Sequence, residues 1–486
     1  MLANLLILQI IIPLCGSLIC FSLNKRMAWL FANIIMIVSF AISLMLFKAS
    51  LGADIITYNL GGWNAQIGIE YRLDRLNSFF ILLVSFIAML NLFGMRGLAE
   101  FEITLDKTNI FFGLYLIAIV GLFGILISND IFNIYVLLEV NAIASYALVA
   151  SGQNKISKKA AFEYLIFGTI GSTLILFGIG FIYSLIGSLN LGIISNNMPG
   201  LLENNAARAG VGLILVGILM KSALFPLSNW LVNIYQNAPS FISSILSSVS
   251  NKVGIYLLLR FFFEVFKVNN YNFEYLEITL LVIAAIAIFA CAIYALKQTN
   301  IKRFLAYSSL SQIGFIILSI ALATSLSLTG SLIYCFTHAM EKLTLFLAVG
   351  YLIAYHTQSE KIEDFAGLAR IHPWISIAII INLLSTIGIP LTAGFVGKWQ
   401  ILKATLASDI WYILIISVAI LFTFSYVFKF VEILIIQKPG SENPTRAIPK
   451  LGAGIIILIT GLNLYIGLNH QYLLELANNI SSILIK

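Results

Sequence analysis

Five ionisable side chains sit where the surrounding sequence is suited to lipid. Glu139, Lys221, Lys252, Lys342 and Lys398 lie inside or at the edge of long apolar runs, in a chain of 486 residues that is 60% hydrophobic and 10% charged. A charged group at bilayer depth costs at least about 2.5–3.5 kcal/mol even on the lenient insertion scale. Carboxylates and ammonium groups spread through such runs can load and release ions or protons, so their default reading is a path through a helical bundle. Lys221 follows the run AGVGLILVGILM, about 13 residues or roughly 20 Å beyond Arg208. Glu139, in YVLLEVNAIASYALVASG, is its natural counter-charge. The alternative is a static buried ion pair, although apolar replacements for such pairs often cost no stability.

Lys252 lies midway along SFISSILSSVSNKVGIYLLLR, with serines at 243, 244, 247, 248 and 250. Those hydroxyls can order water or simply let helices pack closely. His338 and Lys342 are four residues apart and share one helix face, which suits proton transfer. Glu341 points about 100° away from Lys342 on an ideal helix, with a pair to Lys342 through backbone flexing as its alternative, so its role stays open. Lys398, in IPLTAGFVGKWQILK, is nearest a span end and has snorkelling as its alternative. Arg260 and Lys429 are close enough to span ends to snorkel. Asp130, after Asn129, reads as a helix cap. His356, His372 and His470, with Trp63, Trp230, Trp374, Trp399 and Trp411, read as markers of span ends and interfaces. The HAMEK string at 338–342 is not HExxH, so zinc hydrolysis has no support. Cys15, Cys20, Cys291 and Cys335 form no CxxC or Cys/His cluster and read as small core residues. No cofactor, metal or nucleic-acid partner is expected.

The elements that must position these groups are membrane spans. Apolar segments of roughly 20 residues number about 14. They run approximately over 4–23, 27–47, 76–95, 109–128, 131–150, 160–187, 209–235, 240–264, 276–296, 302–323, 327–354, 373–397, 409–436 and 450–469. A short interfacial helix is expected over 471–486. The first segment has no basic residue before it and is followed by Lys25-Arg26, which argues for a span rather than a signal peptide. The hydrophilic breaks are too short for a soluble domain, so 1–486 reads as one polytopic membrane domain. With the amino terminus outside, about 15 basic residues fall on the cytoplasmic side against about 7 outside, the sense of the positive-inside rule. Lys107 counts on the inner side and Lys486 on the outer. The net charge of +7 is accounted for by those loops. Pro226 and Pro390 interrupt the seventh and twelfth spans, where freed carbonyls can line a polar cavity. Broken helices in corresponding parts of two halves point to an inverted-repeat transporter.

Several strings carry a resemblance. They are GGWNAQIGIEYRLDRL at 61–76, LLEVNAIASYALVASG at 137–152, KSALFPLSNWL at 221–231, APSFISSILSSVSNKVGIYLLLRFFF at 238–263, IKRFLAYSSLSQIGFIILS at 301–319, HAMEKLTLFLAVG at 338–350, FAGLARIHP at 365–373 and IPLTAGFVGKW at 389–399. In that order they resemble the antiporter-like subunits shared by Mrp-type cation/proton antiporters and the membrane arm of respiratory complex I. The GGW string, the APS step and the compact length resemble the D-type branch of the Mrp subunits. The resemblance implies an all-α membrane fold of 14 helices with helices 7 and 12 broken. It implies two inverted five-helix repeats, here 109–264 and 276–436, flanked by helices in 1–97 and 450–486. It also implies a proton and monovalent-cation path through Glu139, Lys221, Lys252, His338, Lys342 and Lys398. Other membrane subunits of a hetero-oligomeric complex in a bacterial inner membrane would be its partners. A proton-pumping subunit of a quinone-linked NADH dehydrogenase or related hydrogenase complex is the alternative it leaves open. A non-transporting structural or assembly subunit is the alternative from another class. Two positions depart from the family pattern: WLVNIY lacks the proline that usually follows WL, and Glu341 stands at a normally uncharged site.

Overall fold

The structure, a computed structural model, describes residues 2–52, 55–103, 108–201, 203–267, 274–438 and 446–485. Lys107, Ser441 and Lys486 lie outside them. In chain order the helices begin with α1 (Leu2–Ser22), α2 (Lys25–Gly52), α3 (Arg75–Gly94), α4 (Arg96–Glu102), α5 (Thr108–Ile127), α6 (Ile131–Ala150) and α7 (Lys155–Ile186). They continue with α8 (Leu191–Leu201), α9 (Asn205–Lys221), α10 (Asn229–Asn237), α11 (Ser240–Ile245), α12 (Asn251–Leu259), α13 (Glu274–Lys297) and α14 (Ile301–Ala321). The last are α15 (Ser325–Leu352), α16 (Leu368–Ile371), α17 (Pro373–Ile387), α18 (Ala393–Ser408), α19 (Ile410–Ile435), α20 (Lys450–Leu468) and α21 (Gln471–Ile485). Strands β1 (Ile56–Asn59) and β2 (Glu70–Leu73) form one antiparallel hairpin, with Ile56 opposite Leu73.

Helix is what such a sequence must form, because lipid offers no partner to an open backbone group. The starts are fixed by polar side chains. Asp130 accepts from Asn133 N, Asn300 from Arg303 N, and Thr324 and Ser327 close a reciprocal capping box. Asp130 is therefore the cap that its position suggests.

Among the described residues, 12 helices are long and apolar enough to cross a membrane, or 13 if one bent pair counts as a span. That pair joins Ile362–Ile371 to Pro373–Ile387 with a bend of 119°. The sequence-based expectation of about 14 is not reached by length and apolarity, because the seventh and twelfth segments are in pieces. α9 stops at Lys221 and the chain resumes helix at Asn229, while α17 and α18 are separated by residues 388–392. Pro13, by contrast, sits inside an unbroken α1. The segment 240–265 is helical throughout but widened twice, with π turns at Leu246–Ser250 and Arg260–Val265. Sequence periodicity carries no sign of these; π turns favour functional sites.

The chain divides into two compact units, the first of residues 1–89, 103–222 and 249–272, the second of 90–102, 223–248 and 273–486. In the first, α7 and α9 pack backbone to backbone. A Cβ added at Gly217 would come within 2.6 Å of Gly171 O. In the second, α15 is buried along almost its whole length and is flanked by α14, α17, α18, α20 and α21.

Candidate functional site

In the first unit, Lys221 is the last residue of α9, and the next residue, Ser222, caps the helix with its N–H on Ile218 O and Met220 O. α12 crosses directly behind that end. A Cβ on Gly254 would lie 2.7 Å from Ser222 N and Cα, so only glycine permits the approach. Lys252, fully buried, is two residues earlier on the same helix, just past the end of the first π turn. Glu139, on α6, is the carboxylate whose charge acts on Lys221, but the two form no ion pair within 4.0 Å. Both are half-buried, less enclosed in this chain than a central buried pair would be.

Arg260 corrects a sequence-based expectation. It does not snorkel; it is buried in a cluster with Asp74, Arg72 and Glu264, at 2.7 Å from Asp74 and with Arg72 2.5 Å from Glu264. Its Nε also meets the Tyr256 hydroxyl at 3.2 Å. Burial alone would raise the Asp74 carboxyl, yet Arg260, Arg72 and the Asn77 N–H outweigh it and hold the group at about 2. The cluster ties α12 and its second π turn to the start of α3. Its partner Asp74 precedes a different span, which a single-segment hydropathy reading cannot reach. Lys429 does reach an edge, donating to Leu296 O at 2.8 Å.

The second unit holds the denser constellation. Lys398, on α18, donates to Thr386 O at 2.6 Å and Ile387 O at 3.5 Å, the carbonyls freed where α17 stops. The stop itself uses Gly388 at φ +92°. The Lys398 ammonium also lies 4.4 Å from the Phe315 ring centre and 5.3 Å from that of Tyr334. It is thus a buried group fixed at a broken helix rather than a snorkelling one. Lys342 donates to Ser308 at 2.9 Å, and Ser308 leads to the Tyr426 hydroxyl at 3.5 Å. Gln312 donates to Tyr426 at 2.8 Å and accepts from Tyr334 at 2.6 Å. A polar side-chain network therefore runs from Lys342 to the ring beside Lys398. His338 is fully buried one turn before Lys342, its ring 6.1 Å from that of Tyr334.

Glu341, whose role the sequence leaves open, belongs to this constellation. It is fully buried, accepting from Ser385 Oγ at 2.6 Å and Thr386 Oγ1 at 3.2 Å. Ser385 is also within 3.2 Å of Asn463 Oδ1, which accepts the Ala393 N–H at the start of α18. Neither Lys342 nor Lys398 closes an ion pair with Glu341 within 4.0 Å. Its signal in the sequence is a glutamate in an apolar run. The ideal-helix angle turns it away from Lys342, and its partners Ser385 and Thr386 come instead from the facing helix α17.

Helices that span a membrane many times, broken at two points and carrying buried lysines and carboxylates, define a multi-pass membrane protein of the ion-handling type. Residues 128–423 match the family model described as NADH:quinone oxidoreductase/Mrp antiporter, TM, and the chain belongs to that family. Over 83% of its length it is 31% identical to the N subunit of the NADH-quinone oxidoreductase of Desulforudis audaxviator, covering 84% of that protein. Over 98% of its length it is 27% identical to the D subunit of the Na(+)/H(+) antiporter of Alkalihalophilus pseudofirmus, covering 97% of it. The fold matches a chain of the Mrp complex from Dietzia sp. with TM-score 0.91 and 20% identity, over 100% of this chain and 98% of that one.

Proposed function

We propose that this chain is the D-type, proton- and monovalent-cation-translocating component of a multisubunit Mrp-type antiporter. It would lie in a bacterial inner membrane with both termini outside the cytoplasm. The carrying observation is that Lys398 is held on the open carbonyls of a broken transmembrane helix. A cation there can exchange its proton without crossing hydrocarbon. End-to-end likeness to the D subunit of an antiporter supports the same reading.

In the mechanism, Glu139 sets the charge state of Lys221, and Lys221 exchanges a proton with Lys252 through water and serine hydroxyls. His338 and Lys342 pass a proton toward Lys398 across the Ser308–Tyr426–Gln312–Tyr334 network. Like charges in one path cannot all be loaded cheaply, so filling one site drives release from the next. The membrane potential contributes about 2.3 kcal/mol per charge per 100 mV. The repeats 109–264 and 276–436 would be the two halves of this machinery.

The test is cation-dependent dissipation of a pH gradient in vesicles containing the whole complex, with immunoblots for abundance. Glu139→Gln and Lys221→Ala should each abolish it at normal abundance. Normal exchange by either variant would end the relay reading. The 31% identity to an oxidoreductase N subunit favours a second reading, a proton-pumping subunit of a quinone-linked NADH dehydrogenase. Copurification of iron–sulfur and flavin subunits, rather than small hydrophobic ones, would select it.

A further inference from the structure

We propose that Glu341, Ser385, Thr386 and Asn463 form a binding site for a dehydrated alkali cation such as Na+. This rests on the antiporter reading above and names the cation site that reading lacks. Five side-chain oxygens are brought together: both carboxylate oxygens of Glu341, the hydroxyls of Ser385 and Thr386, and Asn463 Oδ1. They come from α15, α17 and α20, so the set exists only in the folded protein. All four side chains are fully buried.

An ionised carboxylate has about four lone-pair directions, and the two hydroxyl bonds occupy only two. Lys342 and Lys398, the cations expected to neutralise it, direct their ammonium groups at Ser308 and at the carbonyls of α17 instead. A buried carboxylate with oxygen neighbours and no closed ion pair is suited to a hard cation with oxygen ligands. A monovalent ion fits the charge. Glu341 is the one carboxylate of the set, and no group of three or more His, Cys, Asp or Glu that could hold a metal ion occurs among the described residues. The unwound ends of α17 and α18 border the site: Asn463 Oδ1 takes the Ala393 N–H at 3.0 Å and Ser385 Oγ takes the Gly394 N–H at 3.0 Å.

The charged or titratable groups facing Glu341 are Lys342 and Tyr334 on its own helix, Lys398 on α18 and Tyr426 on α19. A cation at Glu341 and a proton on Lys398 or Lys342 repel each other across this short space. Occupancy by one therefore disfavours the other, which is the exclusion that exchange requires.

The experiment measures 22Na+ binding to the purified whole complex at equilibrium, alongside the half-saturating Na+ concentration for exchange in vesicles. Glu341→Gln keeps the shape and removes the charge; Ser385→Ala removes one ligand and keeps every charge. Glu341→Gln should lose one bound Na+ per complex. Ser385→Ala should raise the half-saturating concentration by about tenfold, the low end for a lost supporting group in a metal site. Wild-type complex that exchanges cations yet binds no Na+ lost on either substitution overturns the site and leaves the antiporter reading standing. Should both variants lose exchange, unchanged 22Na+ binding overturns it and one fewer bound ion supports it. A wild-type complex with no cation exchange at all fails the parent reading instead.

Discussion

At the scale of single residues, burial and partnership decide what each charge does. Asp74 and Arg260 are a stabilising pair. The carboxyl of Asp74 is depressed in the folded chain, so its contribution is present above the usual carboxylate pKa near 3.8 and is lost as pH falls through about 2. Asp74→Asn should lower the thermal midpoint of the purified complex at pH 7, by about 1–3 kcal/mol in stability, less than a fully broken buried pair because Glu264 still meets Arg260. The difference from wild type should shrink as the pH falls toward 2 and vanish below it, and an equal midpoint at pH 7 would count against the pairing. The burial of several of these charges is legible in the sequence, since a lysine or glutamate inside an apolar run stands out whatever the fold. Lys252, Lys342 and Lys398 are buried as that reading requires. What is not legible is which oxygen each group meets. Glu341 and Arg260 both escape a sequence reading because Ser385, which meets Glu341, and Asp74, which meets Arg260, lie on other segments 44 or more residues away.

At the scale of elements, the breaks matter more than the spans. Proline marks both interruptions, and the chain does leave the helix around 222–228 and 388–392. Hydropathy cannot show that α18 continues to Ser408, past the expected end at 397, nor that α12 is preceded by a π turn. The contact that fixes the first break is testable. At Gly254 a side chain would begin 2.7 Å from the backbone of Ser222. Gly254→Leu should force α12 away from the end of α9 and destabilise by about 1–3 kcal/mol, the usual range for overpacking. Because Lys221 and Lys252 flank that contact, exchange should fall further than abundance does. Equal losses of exchange and abundance would mean that the contact is only structural.

At the scale of the whole molecule, the predictions concern sidedness and company. If both termini lie outside, a cysteine placed near Ser50, at the exposed Leu51, or at Asn205 should react with an impermeant maleimide in intact cells, and one at Lys158 only after permeabilisation. Labelling of Lys158 from outside would reverse the orientation. The expectation that other subunits are required gains a physical reason from α6. Phe132, Val136 and Ile143 are exposed there, and Glu139 falls between them at helical spacing on the same outward stripe, half-buried. A carboxylate on a lipid-facing stripe is costly, whereas protein beside it can supply a partner or water. The chain alone, in liposomes, should therefore catalyse no cation/proton exchange, and a cysteine at Ile143 should crosslink to another small hydrophobic subunit in the intact complex. Exchange by the purified single chain would make it a self-contained transporter, and the stripe would then need its counter-charge from within.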